Sequence, residues 1–442
     1  MRFGSLITDK GSIKLSGQVK IRHEYFGGII FHSGTGDIVE VDREAFQVLL
    51  ALLETGPMDI SSLSTLGRFT KLLPIFMDMG IIEYSPEGMH NSSDTARLLN
   101  SNNSPDISCR TSQTLSAPET VHLAVTYRCN KACPDCYISR YATPPSYELN
   151  TAEMCSIIDT LAKNAVFQLA IGGGEPFIRL DLDDIVKHAG DMGLAVHITT
   201  GQYSIKPEWE EMLKHIKSLH IGVQSEELLR DAAVSKELST VEEHLRSLDI
   251  GFGANIILTR FTIRNMDKIL ESLLQCGFKR IIFLRYKPIA NKQRWASENP
   301  GAHELEFFRN WLTEATRRHK QIMFRVDCAA SFLMKAENPT DAMRHGVKGC
   351  SAGERILSIA PDGSAYPCSQ LFGHRLSAGN LLAQSFESIW GASETLNSYR
   401  RFRQNPSFKN GVCGRCEAAD ICGGCRVYSE DFIGSEPACP IR

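Results

Sequence analysis

The 442-residue chain lacks a charge excess: 48 Lys and Arg stand against 51 Asp and Glu, a formal net charge of -3. No bulk field therefore steers it toward phosphate polymers or anionic lipid, and neither nucleic acid nor a membrane surface is expected as a partner. Also missing is any run of about 18 apolar residues that could cross a bilayer. The opening MRFGSLITDK has no basic stretch followed by an apolar one, the mark of a secretion signal. A cytoplasmic location is the expectation. No solenoid-type repeat is found. What the chain does have is 43% hydrophobic residues and enough length for two or three domains.

It also has fourteen cysteines. Without an export signal the thiols stay reduced, which favours metal over disulfides. Three lie within eight residues, at 129, 133 and 136, and eight lie between 328 and 439. Cys109, Cys155 and Cys276 stand apart. Cys155 and Cys276 fall in helical patterns, where a cysteine acts as a small hydrophobe, and all three are read as structural or incidental.

Along the chain, 17-23, 26-32 and 37-41 have strand composition, with SGTG as a turn. After Asp42, a good N-cap, Ala45, Val48, Leu49 and Leu52 recur at helical spacing. Leu66, Phe69, Leu73 and Phe76 form a second stripe, kinked at Pro74 and ended by Gly80 before a short strand, IIEY. The order is winged-helix-like. Residues 86-118 are rich in Ser, Asn, Thr and Pro and read as a linker. From Val121, apolar strands near 121-126, 167-171, 195-199, 219-223, 253-258 and 280-284 alternate with amphipathic helices. Such units imply a parallel sheet, either doubly wound or an incomplete barrel, with ligands beyond the C-terminal strand ends. From about 326, cysteine, glycine and turn residues take over; that stretch reads as lacking apolar payload and is expected to depend on metal.

The motif CNKACPDC places Cys129, Cys133 and Cys136 on the loop after the first of these strands. Three thiolates at spacings of four and three can wrap one face of a cubane cluster and leave its fourth iron without a protein ligand. A zinc knuckle would need a fourth ligand nearby, and His122 is poorly placed. The motif resembles that of the radical S-adenosylmethionine (SAM) superfamily, C-x3-C-x2-C after the first strand of a partial (βα)6 TIM-like barrel. The resemblance implies a [4Fe-4S] cluster with exchangeable SAM on the open iron, cleaved to a 5'-deoxyadenosyl radical that abstracts hydrogen from substrate. One position departs from the family: the residue before the third cysteine is usually aromatic or apolar but is Asp135 here, with Tyr137 following. Adenine contacts are expected to differ accordingly.

One βα unit later, AIGGGEP contains Gly173, Gly174, Glu175 and Pro176. Glycines let a backbone approach a ligand, and a carboxylate can accept from an ammonium. The segment resembles the GGEP motif that holds the methionyl amine in this family. By the same resemblance Thr199, Thr200 and Gly201, then Gln224 and Ser225, then Arg285 line up with cosubstrate contacts. No catalytic base is identifiable.

The C-terminal cysteines read C-x17-C, then C-x2-C-x5-C-x2-C, then C: Cys350, Cys368, Cys413, Cys416, Cys422, Cys425 and Cys439. This resembles the SPASM extension, whose seven cysteines bind one or two auxiliary [4Fe-4S] clusters, although the last short spacing is usually x3. By analogy Cys413, Cys416, Cys422 and Cys439 hold the distal cluster, leaving Cys350, Cys368 and Cys425 for the proximal one. Two four-ligand clusters need eight thiolates, and Cys328 supplies the eighth; alternatively it is only buried and the proximal cluster keeps an open iron. Two zinc sites would use the same ligands.

Residues 1-90 hold eight Lys and Arg against eleven Asp and Glu, the wrong balance for a DNA-reading surface. The pattern FGGIIFHSGTGDIVEVDREAFQVL instead resembles PqqD-like precursor-recognition (RRE) domains, which capture a leader peptide as an added strand. The expected organisation is 1-90 peptide recognition, 91-118 linker, 119-325 radical SAM partial barrel and 326-442 SPASM. These resemblances imply a maturase of ribosomally made peptides that forms a thioether or C–C crosslink, with epimerisation a lesser possibility. Its expected partners are the precursor peptide, through its leader, and a reductase, ferredoxin or flavodoxin electron donor. The alternatives are a sulfatase-maturase-like enzyme, against which Ser369 stands where those have aspartate, and a non-enzymatic zinc-binding regulator.

Overall fold

The computed structural model describes residues 11–63, 69–85, 97–99, 114–140, 147–334, 349–373, 376–419, 422–429 and 431–439. Cys109 and Leu66 lie outside them. Two compact units emerge, one of residues 1–117 with 163–167 and the other of 118–162 with 168–442.

The first unit contains β1 (Ser12–Leu15), β2 (Val19–Glu24), β3 (Gly27–His32), β4 (Ile38–Asp42), β5 (Met58–Asp59), β6 (Ile82–Ser85) and β7 (Arg97–Leu99). They form sheets of order β5-β1-β6 and β4-β3-β2-β7. The helix Arg43–Thr55 starts where Asp42 accepts from the Ala45 N–H, at 2.9 Å, which satisfies one of its otherwise unpaired first-turn donors. Its buried face, Ala45, Phe46, Val48, Leu49 and Leu52, is the stripe read from the sequence together with Phe46. The helix Phe69–Asp78 contains Pro74, and Gly80 follows at φ +67°.

The segment read as a linker is not free of structure. Arg97–Leu99 pairs in parallel with β2, and Glu24, 3% exposed, accepts from both the backbone N–H and the hydroxyl of Ser116 at 2.9 Å. Composition hid this, because only a few apolar residues of the segment carry it: Leu98 packs against the core, and Leu115 and Ala117 are buried.

In the second unit β8 (Thr120–Thr126), β9 (Gln168–Gly173), β10 (Ala195–Thr200), β11 (Ser218–Val223), β12 (Gly251–Leu258), β13 (Arg280–Arg285) and β14 (Met323–Val326) are parallel and lie side by side in chain order. Helices such as Thr151–Lys163 and Met266–Gln275 connect them. The order never reverses, which excludes the doubly wound alternative. Alternate residues are buried, as with Ile281, Phe283 and Arg285 on β13, and each fully buried Ile or Phe contributes about 1.5–3 kcal/mol.

Three strands of the cysteine-rich part extend the same sheet at its other edge. β15 (Ile356–Ile359) pairs in parallel with β8, and β16 (Ser364–Tyr366) and β17 (Gly379–Asn380) follow antiparallel. The expectation of a region short of apolar residues is corrected here. Tyr366, Leu371, Phe372, Tyr399, Phe402 and Phe408 form a buried cluster around Cys350 and Cys368. Its members are scattered over more than forty residues without a period, so no pattern announced them.

Candidate active site at the strand ends

The loop that bears the first three cysteines leaves β8 at Thr126 and is pinned from two sides. Glu148 accepts from the Thr126 hydroxyl at 2.8 Å and from the Tyr127 N–H at 3.0 Å. From β9, Gly174 N–H donates to the Thr126 carbonyl at 2.7 Å and Glu175 N–H to the Arg128 carbonyl at 2.9 Å. A Cβ on Gly174 would lie 2.0 Å from that Arg128 oxygen, and one on Gly173, at φ +107°, 2.4 Å from the Thr126 oxygen. The glycines, expected to admit a ligand, thus let two backbones meet. Gly174→Ala is expected to push the cysteine loop off β9 and lower the iron and sulfide of reconstituted protein by one cluster's worth, as measured by colorimetric iron and sulfide analysis.

Glu175 is 1% exposed. One of its oxygens accepts from the Thr200 hydroxyl at 2.8 Å and the Phe177 N–H at 3.1 Å; the other accepts from the Gly201 N–H at 2.8 Å. Pro176 opens the short helical turn that follows. Thr200 and Gly201 therefore hold Glu175, whereas Thr199 is exposed and bonds to nothing through its side chain among the described residues. Gln202 reaches Asn130 at 3.1 Å, a further tie between the β10 end and the cysteine loop.

The three loop thiols lie within electrostatic reach of one another. Burial pushes the Cys133 thiol up to about 11, with Cys136 and Cys129 adding to it. Burial likewise raises Cys129, and Glu175 and Cys136 act in the same sense. Soft donors clustered on one loop and crowded enough to oppose each other's ionisation suit a cationic iron cluster, whose binding would draw the protons off.

Gln224 and Ser225 stand at the end of β11. The Gln224 N–H donates to the Tyr203 hydroxyl at 3.0 Å, and Ser225 accepts from Thr262 at 3.1 Å. Arg285 departs from expectation. Its guanidinium is 3% exposed and is spent on Glu436, at 2.7 and 2.6 Å, and on the Ala329 carbonyl, with the Tyr428 ring 3.7 Å away. Its neighbours are the C-terminal cysteines: it bears electrostatically on Cys425, and the Glu436 N–H donates to the Cys413 sulfur at 3.4 Å.

The C-terminal thiols fall into sets by the same electrostatic criterion. Cys328 is exposed, and the neighbouring Asp327, Cys350 and Cys368 raise its thiol above the ordinary value. Burial pushes Cys368 up to about 12, with contributions from Cys425 and Cys350; Cys425 in turn feels Cys350 and Cys328. Cys422 is raised by burial and feels Cys413. Cys416 and Cys439 are half-buried on the same C-terminal segment. Among the described residues, no three Cys, His, Asp or Glu side chains converge as they would around a single ion.

Lys287 joins the two regions. Its Nζ lies 4.5 Å from the Tyr137 ring centre. Burial works against its charge, but Tyr137, Asp327, Cys368 and Cys328 outweigh this and hold its pKa above the ordinary value. The same ammonium, after burial itself, keeps His122 neutral, its pKa lowered to about 4.

Residues 123–250 match the Radical SAM superfamily, and residues 350–417 match SPASM, an iron-sulfur cluster-binding domain. The chain is a radical SAM enzyme. Its cofactors are a [4Fe-4S] cluster with SAM and auxiliary iron-sulfur clusters. This radical SAM enzyme is similar to the AdoMet-dependent heme synthase of Methanosarcina barkeri, at 25% identity over 74% of this chain and 97% of the other. It is similar to the mycofactocin maturase MftC of Mycobacterium tuberculosis, at 26% over 72% and 81%. In fold it resembles SuiB of Streptococcus suis in the structure bound to its precursor peptide SuiA, with a TM-score of 0.70 and 16% identity over 96% of this chain and 98% of that one. Among the described residues no helix is long and apolar enough to cross a membrane.

Glu148, Lys287, Arg294 and Glu436 belong to this enzyme's site region and were not singled out from sequence. Each is an isolated charged residue without a motif. Their roles arise from partners 22 to 159 positions away, as with Glu148 and Thr126 or Arg294 and Asp135.

Proposed function

We propose that the enzyme modifies a ribosomally synthesised precursor peptide, forming a thioether or C–C crosslink. The observation that carries this reading is the edge of β4. In the sheet β4-β3-β2-β7 the β2 edge is covered by the chain's own Arg97–Leu99, whereas β4 pairs only with β3 among the described residues. Its main-chain donors and acceptors are those an added leader strand would use. This supports a PqqD-like winged-helix unit over 1-90, a linker to 118, a radical SAM partial barrel over 119-325 and a SPASM domain over 326-442. Two of the relatives bear names of peptide-modifying enzymes, the mycofactocin maturase and the PqqA peptide cyclase of Bradyrhizobium diazoefficiens at 26% identity, and these support the reading.

In this reading Cys129, Cys133 and Cys136 hold the cluster that binds SAM, and when bound SAM supplies the hydrogen-abstracting radical. Glu175, oriented by Thr200 and Gly201, receives the methionyl amine. Gly173, Gly174 and Pro176 shape its turn, and Gln224 and Ser225 face the nucleoside. Cys413, Cys416, Cys422 and Cys439 hold the distal auxiliary cluster. Cys350, Cys368, Cys425 and Cys328 hold the proximal one, an assignment supported by the mutual electrostatic reach of Cys328, Cys350, Cys368 and Cys425. A reductase, ferredoxin or flavodoxin delivers the electron.

Full-length protein titrated with the short peptide encoded beside its gene should bind at micromolar concentration, as read by fluorescence anisotropy. Proline at Ile38 or Glu40, whose N–H groups point away from β3 in this register, should weaken binding about tenfold or more while leaving SAM cleavage intact. Absence of binding at tens of micromolar would point to a small-molecule or folded-protein substrate.

A further inference from the structure

Asp135 is the position at which this sequence departs from its family, and the structure shows what it is bound to. Its carboxylate accepts two hydrogen bonds from Arg294, each 2.7 Å, and a third from the Tyr286 hydroxyl at 2.7 Å. Arg294 also donates to Glu226 at 3.1 Å, and Glu226 pairs in turn with Arg230 at 3.0 Å. Two parallel bonds to one carboxylate fix the plane of a guanidinium as well as its position. Nη1 of Arg294 has no acceptor among the described residues.

Arg294 and Asp135 form part of the wall of a cavity of about 170 Å³ that opens beside the cysteine loop, at the ends of β11 and β12. Val223, Ile257 and Phe261 give this cavity an apolar side, and Glu226 and Glu227 add carboxylates. A slot with apolar walls, a fixed planar cation and carboxylate acceptors is complementary to a flat nitrogen heterocycle attached to a sugar. The heterocycle can lie against the guanidinium, whose weak hydration makes such stacking inexpensive, while the sugar hydroxyls donate to carboxylates.

We propose that Arg294, locked by Asp135 and Glu226, is the residue that receives the adenine of SAM, taking the place of the aromatic or apolar side chain usual before the third cysteine. The aspartate is then a positioning residue. It holds a planar cation supplied by the helix Lys292–Glu298, more than 150 residues away in sequence. The proposal deepens the assignment of the cosubstrate site to this loop, and its test separates the two.

Anaerobically reconstituted protein would be titrated with SAM, with S-adenosylhomocysteine and with methionine, following binding by equilibrium dialysis and by the EPR spectrum of the reduced cluster. Arg294→Met should weaken SAM and S-adenosylhomocysteine at least tenfold and leave methionine, which has no adenine, within twofold of the parent. Arg294→Lys retains the charge but loses the planar fork, and should resemble Arg294→Met. Asp135→Asn should give an intermediate loss of the two nucleosides. The proposal fails if either Arg294 variant binds SAM as the parent does, or if SAM and methionine weaken by the same factor at unchanged iron content, because the ion pair would then only brace the loop. If the parent protein bound neither SAM nor methionine at its cluster, the cosubstrate assignment itself would fall.

Discussion

Protein with Cys129, Cys133 and Cys136 all replaced by alanine, reconstituted with iron and sulfide under anaerobic conditions, is expected to cleave SAM no faster than a protein-free control. That is a loss on the order of 10³-fold or more, the scale reached when a catalytic unit is removed whole. The physical reason lies in the loop. Glu148, Gly174 and Glu175 hold its backbone through bonds from 2.7 to 3.0 Å that do not involve the cysteine side chains. The alanine variant should therefore keep its fold while losing its iron at this site. The check is chromatography of deoxyadenosine and methionine after reduction, alongside the iron count. Undiminished cleavage with the auxiliary clusters intact would place the chemistry elsewhere in the chain.

The second large effect concerns stability. Glu436→Ala would leave the Arg285 guanidinium, 3% exposed, without its carboxylate. An uncompensated buried charge costs about 3–5 kcal/mol, and here the residual neighbours are a carbonyl and two rings. Thermal unfolding monitored by circular dichroism should show a markedly lowered midpoint. The double variant Arg285→Met/Glu436→Leu, which removes both charges, should recover much of the loss. Because Arg285 bears on Cys425, the single variant is further expected to lose auxiliary-cluster iron before it unfolds. If it unfolds at the parental temperature, the pair is better solvated than its geometry indicates.

Different parts of the molecule were legible to different degrees. Six strands of the seven-strand parallel run were readable because each of them, like the crossover helices, carries its own apolar period, and they lay where those periods placed them. The short β14, MFRV, has no such period, and its burial pattern is mixed. β15 to β17 were missed for another reason. They complete the sheet next to β8, a partner more than 230 residues earlier in sequence, and nothing local distinguishes them from turns.

The GGE segment illustrates the same division within the site. Its spacing after the cysteine loop was visible at once. That its glycines serve the contact between two main chains, with Cβ positions 2.0 and 2.4 Å from carbonyl oxygens, could be learned only with both chains in place. Arg285 is the opposite instance: a charged strand-end residue that looked like a ligand contact and is instead closed off by Glu436, 151 positions away.

By itself, then, the sequence determined the donor chemistry: which thiols lie close enough along the chain to share a cluster, and which strands alternate with helices. Those are properties of spacing and periodicity, carried by neighbours in the chain. Tertiary structure alone decided which charges meet. Asp135 with Arg294 and Arg285 with Glu436 are brought together by the folding of distant segments. Such pairs leave no period behind, because an ion pair needs a single residue from each side.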